Sequence, residues 1–313
     1  PGSLGSFPVR SLALLRQAGM AGRTTRRAIA PSSVTVSGGA YNTGAGTLST
    51  ATLTMSGGTV LTGGTFTTTG AASISGGTFT SGTGTTTFAS LTLSGTGGVA
   101  ANTGNVTANA TTMAGSSSFT GSGSTTSAFS TLDVGGTSVF NTNGGTATFS
   151  GALTVSGGTY RGTSGTSTLS STLTVSAGTF DLNGGTMTCA GTGLVSGGTY
   201  YGAGSSSFTR SGNGADALQI TGGTLDLNGG SLATTATSRS GLVVGGGTYY
   251  GTNGTTSIGF TLEVTSGTYD AAGGSSTVGG AATISGGTYK IGSSATGQTM
   301  SNGMTISGGT LEG

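Results

Sequence analysis

The chain has 313 residues, 68 of them glycine, with no histidine or tryptophan and only nine basic and seven acidic side chains; ordinary globular domains carry about a quarter charged residues. Disordered chains are poor in β-branched and aromatic residues, whereas this one is dense in Thr and Val with spaced Phe and Tyr, which favours β-structure over disorder. With Cys189 as the single cysteine, the composition excludes an intrachain disulfide, a His-based triad and thiolate or imidazole metal sites.

Residues 1–31 differ in character from the rest of the chain. They hold Arg10, Arg16, Arg23, Arg26 and Arg27, no acidic residue, and one helix-like segment, "SLALLRQAGMAG". Three readings stay open: a helical or irregular cap over the first repeat, a leader ending in the small-x-small "AIA" at 28–30, or an incidental stretch upstream of a start at Met20. The domain division is 1–31 as this basic segment and 32–313 as a repeat domain.

From residue 32 onward four basic residues (Arg161, Arg210, Arg239, Lys290) face seven acidic ones (Asp133, Asp181, Asp216, Asp226, Glu263, Asp270, Glu312), a net charge of −3. No cluster of Lys and Arg is left to neutralise phosphates, so nucleic acid is not expected as a partner. No run of about 20 apolar residues exists to cross a membrane as a helix.

The repeat domain is punctuated by an apolar residue before each Gly-rich turn: Val36, Met55, Ile74, Leu93, Met113, Val134, Val155, Val175, Val195, Ile220, Val244, Val264, Ile284 and Ile306. Such regular recurrence is the signature of a repeat fold. Two residues earlier stands a second apolar side chain in most copies, such as Leu53, Leu91, Leu153 and Leu173, which places both on one face of a strand.

After the turn "SGGT" a second strand carries Tyr41, Val60, Phe79, Val99, Phe119, Phe140, Tyr160, Phe180, Tyr200, Leu225, Tyr249, Tyr269, Tyr289 and Leu311. A third apolar series comes next: Leu48, Phe66, Phe88, Val106, Phe129, Phe149, Leu169, Cys189, Phe208, Leu232, Ile258, Val278 and Met300. Three short strands per repeat with glycine corners predict an all-β fold, a three-sided parallel β-solenoid of about fourteen coils, roughly 65 Å long at ~4.8 Å per coil. The last residues, "ISGGTLEG", fall inside the second strand of the fourteenth coil. An uncovered coil there is expected either to continue in a longer chain or to stack on another subunit.

Copies such as "LTVSGGTY" (153–160), "LTVSAGTFDLNGGTMT" (173–188) and "ISGGTY" (284–289) resemble the Gly/Thr-rich beta strand repeats of bacterial surface and secreted proteins, including autotransporter passengers and filamentous-haemagglutinin-like adhesins. The resemblance spans about residues 32–313. It implies an extracellular or cell-surface parallel β-helix with structural or adhesive work, and self or surface glycans as partners.

Two outward series are candidate functional residues. One lies directly after the second-strand residue: Arg161, Asp181, Tyr201, Asp226, Tyr250, Asp270, Lys290 and Glu312. It reads either as register support between opposite charges one coil apart or as a glycan-binding stripe using Tyr201 and Tyr250. The other lies between the first-strand apolar residues: Thr35, Thr54, Thr92, Thr112, Thr154, Thr174, Thr283 and Thr305, interrupted at Asp133, Leu194, Gln219, Val243 and Glu263.

With Thr52, Ser90, Thr131 and Thr172 beside it, this second series is similar to the T-x-T ladders of ice-binding solenoids. No clustered carboxylates with Arg or Lys suggest a polysaccharide-cleaving site, so a non-enzymatic protein without cofactor or metal is expected. "GGTLDLNGG" (222–230) lacks the glycine before Asp226 that calcium-binding repeats require, and no GK[ST] accompanies the glycine clusters as a phosphate loop would need.

Overall fold

The structure, a computed structural model, describes residues 30–210, 214–292 and 297–313. The proposed cap or leader at 1–31 lies outside the described residues except for its last two. Among the described residues 33 strands join in one parallel sheet that winds through about fourteen turns. This is the predicted β-solenoid.

Successive turns lay strands on three faces, and equivalent strands of neighbouring coils pair in parallel. On the first and second faces the register is the predicted one. Leu153, Val155 and Tyr160 sit over Leu173, Val175 and Phe180, and the second-strand series runs unbroken from Tyr41 and Val60 to Tyr289 and Leu311. In some coils the inter-coil pairing continues around a corner, as in Thr52–Thr62 and Phe66–Ser81, where Gly58 and Gly77 take the bend at φ 78° and 77°, so strands predicted as separate are fused.

The interior is a stack of side chains one residue deep per column. On the second face Phe119, Phe140, Tyr160, Phe180 and Tyr200 lie ring over ring, with successive centroids 4.7, 5.1, 4.6 and 4.9 Å apart. Leu225 interrupts the stack, which resumes at Tyr249, Tyr269 and Tyr289. The coil rise of a parallel sheet thus matches the spacing at which aromatic rings attract.

The third apolar series is not the single column expected from the sequence. It divides into two inward columns two residues apart along the strand. Phe66, Thr86, Val106, Ser127, Ala147, Ser167 and Met187 form the first; Thr68, Phe88, Ala108, Phe129, Phe149, Leu169 and Cys189 form the second. Coil by coil, a large residue in one column faces a small one in the other, as in Phe66 with Thr68 and Ser127 with Phe129. The bulk of the third face thus changes sides from coil to coil.

Candidate functional site

The charged and aromatic series forms one outer ladder in the expected order. Arg161 lies beside Asp181, Asp181 beside Tyr201, Tyr201 beside Asp226 and Asp226 beside Tyr250. Tyr250 then adjoins Asp270, Asp270 adjoins Lys290, and Lys290 adjoins Glu312. Tyr201 and Tyr250 are among the exposed large side chains.

The electrostatic reading of this ladder is corrected in part. Lys290 Nζ meets Glu312 Oε2 at 3.3 Å, but among the described residues no ion pair joins Arg161 to Asp181 or Lys290 to Asp270. The aspartates turn to their own backbone instead. Asp181, Asp226 and Asp270 each accept, through Oδ1, the N–H two residues on, from Asn183, Asn228 and Ala272, all at 2.9 Å. Asn141 and Asn42 do the same with Asn143 and Gly44 at 2.8 Å.

These are Asx-turns, which fold the corner after the second strand. They lead the chain into left-handed backbone at Asn143, Asn183, Asn228 and Ala272, with φ between 41° and 48°. The corner also fixes Leu182 and Leu227, fully buried residues that the sequence reading passed over.

The first-strand threonines likewise form a column, from Thr35 and Thr54 through Thr92 and Thr112 to Thr154 and Thr174, then Thr283 and Thr305. Asp133 and the stretch Leu194, Gln219, Val243 and Glu263 break it at the expected coils. Its companion column is no better: Ala71, Ser90, Ala110 and Thr131 alternate there.

A longer and cleaner array lies on the third face, where no site had been predicted. Between the two inward columns runs an outward one: Ser49, Thr67, Thr87, Thr107, Ala128, Thr148, Thr168, Thr188, Ser207, Ala233, Ser257, Thr277 and Thr299. Beside it stand Thr126, Thr146, Thr166, Thr186, Ser205, Ser231, Thr255 and Ser275. Neither column contains a charge or a large side chain. Treating the third apolar series as one column hid the alternation that exposes these residues.

A second feature missed in the sequence is a polar staple on the enlarged corners between third and first strands. Asp216, largely buried, accepts from Ser240 N at 3.1 Å and from Gln219 Nε2 at 2.8 Å. The Ser240 hydroxyl donates to Glu263 and accepts from Thr261 at 3.1 Å. Three coils are tied together by these bonds. Both carboxylates are engaged with donors of the scaffold, which is structural use.

Cys189 is buried and its Sγ donates to the Ser171 carbonyl at 3.2 Å. Burial pushes the thiol up from its ordinary value, so the thiolate needed for nucleophilic attack is disfavoured. Among the described residues no three His, Cys, Asp or Glu side chains gather to hold a metal ion. No protein-family model, curated protein or solved structure matches the chain. The class is therefore defined by the fold alone: a parallel β-solenoid built from Thr-rich strand repeats.

Proposed function

We propose that the protein is a non-enzymatic structural rod, an extracellular or cell-surface filament or matrix subunit that assembles end to end and serves in adhesion. The observation that carries this reading is the sheet's continuity. One ladder of parallel strands runs the length of the described solenoid, each coil pairing with the next along one axis, so axial stacking of copies would extend the sheet with the bonds it already uses. Unpaired strands recruit further strands. The resemblance of the repeats to bacterial surface and secreted proteins supplies the cellular setting.

Cryo-electron microscopy of the purified chain tests this. End-to-end fibres with an axial repeat of about fourteen coils, shortened to single rods by Ile306→Arg with Leu311→Arg, support it; dispersed single rods of the unaltered chain at every concentration overturn it.

A second reading, glycan attachment, is favoured by exposed Tyr201 and Tyr250 standing two coils apart with Asp226 between them. Binding to a glycan panel that disappears in Tyr201→Ala with Tyr250→Ala would establish it.

A further inference from the structure

The three outer faces differ in charge. The first carries Asp133 and Glu263 within its threonine column. The second carries Arg161, Asp181, Asp226, Asp270, Lys290 and Glu312. Arg210 is the last residue of the third-face strand Ser205–Arg210, at its far edge beside Ala236 and three residues past the central column, and Asp216 and Arg239 lie on the enlarged corners between third and first strands. The third face itself shows only Ser, Thr and Ala in its central outward column, over thirteen successive coils from Ser49 to Thr299.

We infer that this third face is a lateral interface on which a second copy of the chain packs, sheet against sheet, so that rods pair side by side. The inference rests on the structural reading above and names the face by which such rods would bundle.

Three physical arguments select this occupant. The first is period. A face repeating at one coil rise is commensurate with a copy of itself by construction, and a two-fold rotation sets the uniform column against the same column along its whole length. The same operation on the other faces brings unlike residues and like charges into contact in many registers.

The second argument is area. Thirteen coils at ~4.8 Å by a width of roughly 12 Å give on the order of 700 Å² per partner, close to the ~800 Å² per partner of a stable interface. The third is desolvation. No charge in the central column or the one beside it has to be stripped of water, Arg210 standing at the strand's far edge; the threonine methyls supply apolar surface, and the hydroxyls can exchange hydrogen bonds across the interface. Small side chains let the sheets approach to about 10 Å or less, as in dry interdigitated sheet packing. At Ala128 the column dips into a shallow trough, lined also by Thr107, Thr148 and Thr168, that a partner's threonine can enter.

The test uses the full chain and two double variants: Thr148→Lys with Thr188→Lys on the third face, and Thr54→Lys with Thr92→Lys on the first, each pair two coils apart. Analytical ultracentrifugation and electron microscopy read mass and rod width, and circular dichroism verifies that both variants retain the solenoid. The expected result is rods of double width and mass for the unaltered chain and the first-face variant, and single-width rods for the third-face variant.

Single-width rods for the unaltered chain at all concentrations overturn the inference. So does pairing that survives the third-face lysines. Thermal hysteresis of unpaired rods that the third-face lysines abolish overturns it too, by showing the face to bind ice. Axial assembly is read independently from rod length, so loss of length with width preserved counts against the filament reading alone.

Discussion

Tyr160 and Ser167 meet inside the seventh coil, phenol oxygen to hydroxyl at 2.6 Å, both fully buried. The pairing recurs wherever a tyrosine enters the core from the second strand between the seventh and thirteenth coils: Tyr200 with Ser206 at 2.7 Å, Tyr249 with Thr256, Tyr269 with Ser276 at 2.8 Å, and Tyr289 with Gln298 at 2.8 Å. Where the second strand supplies Phe180 or Leu225, the facing position is Met187 or Leu232. A buried phenol without a partner is costly, so the two positions vary together. Ser167→Ala is expected to lower stability by about 1–3 kcal/mol, while Tyr160→Phe with Ser167→Ala returns close to the starting value. Urea midpoints check both; a silent Ser167→Ala would sink the pairing argument.

The same rule has an exception that makes a second prediction. Phe79 and Thr86 stand seven residues apart, as Tyr160 and Ser167 do, yet Thr86 Oγ1 is buried without a hydrogen-bond partner. Phe79→Tyr places a phenol where Thr86 lacks one, and is expected to be neutral or stabilising by up to about 1 kcal/mol. Phe180→Tyr, which faces Met187, is expected to be destabilising by about 1–3 kcal/mol. Equal effects of the two substitutions would contradict the account.

The architecture was legible because its signal is repetition: the register of Val155 over Val175 and of Tyr160 over Phe180 follows from aligning turns. What stayed hidden depended on orientation within one strand. Phe66 and Phe88 look equivalent in the sequence but occupy different inward columns, since a coil can place its bulk at either of two positions two residues apart. Without that distinction Thr148, Thr168 and Thr188 could not be assigned to an outer face. The outer ladder was placed correctly, yet charge alone could not reveal that Asp181 and Asp226 satisfy backbone N–H groups, because carboxylates one coil from Arg161 or a tyrosine invite a side-chain partner as readily.

Buried phenols set the response to alkali. Burial raises Tyr160, Tyr200, Tyr249 and Tyr289 above their ordinary value, and Tyr269 up to about 12, its hydroxyl bonds only partly offsetting the burial. Below pH about 10 these groups are protonated in both folded and unfolded chains and leave stability unchanged. Above it the unfolded chain releases protons that the folded chain retains, so stability falls by about 1.4 kcal/mol per pH unit per buried phenol, until the folded value is reached. Urea midpoints should be flat from neutrality to about pH 8.5, decline gently as the Cys189 thiol of the unfolded chain ionises while the buried one stays protonated, and drop steeply above about pH 10. Phenolate absorbance from these five residues should appear together with loss of the β-sheet signal; gradual ionisation with the sheet intact would refute their burial.

The corner aspartates allow capping and charge pairing to be separated by a single atom change. Asp181, Asp226 and Asp270 each hold an N–H two residues on, a role an asparagine carbonyl performs equally, as Asn141 does in its own coil. Asp226→Asn should therefore preserve stability at low and high salt, whereas Asp226→Ala should lose about 1 kcal/mol, the net contribution of such a bond. The exposed pair Lys290 and Glu312 should behave oppositely: Glu312→Gln should cost under about 1 kcal/mol, and salt should remove the difference. The same corner holds Ala272 at φ 42°, where the equivalent coils carry Asn143, Asn183 and Asn228. A left-handed alanine lacks the tolerance of asparagine for this region. Ala272→Asn is accordingly expected to stabilise by about 0.5–1 kcal/mol. Measured by urea denaturation, a loss of stability there, or a salt-dependent loss in Asp226→Asn, would show that the ladder is held by its charges after all.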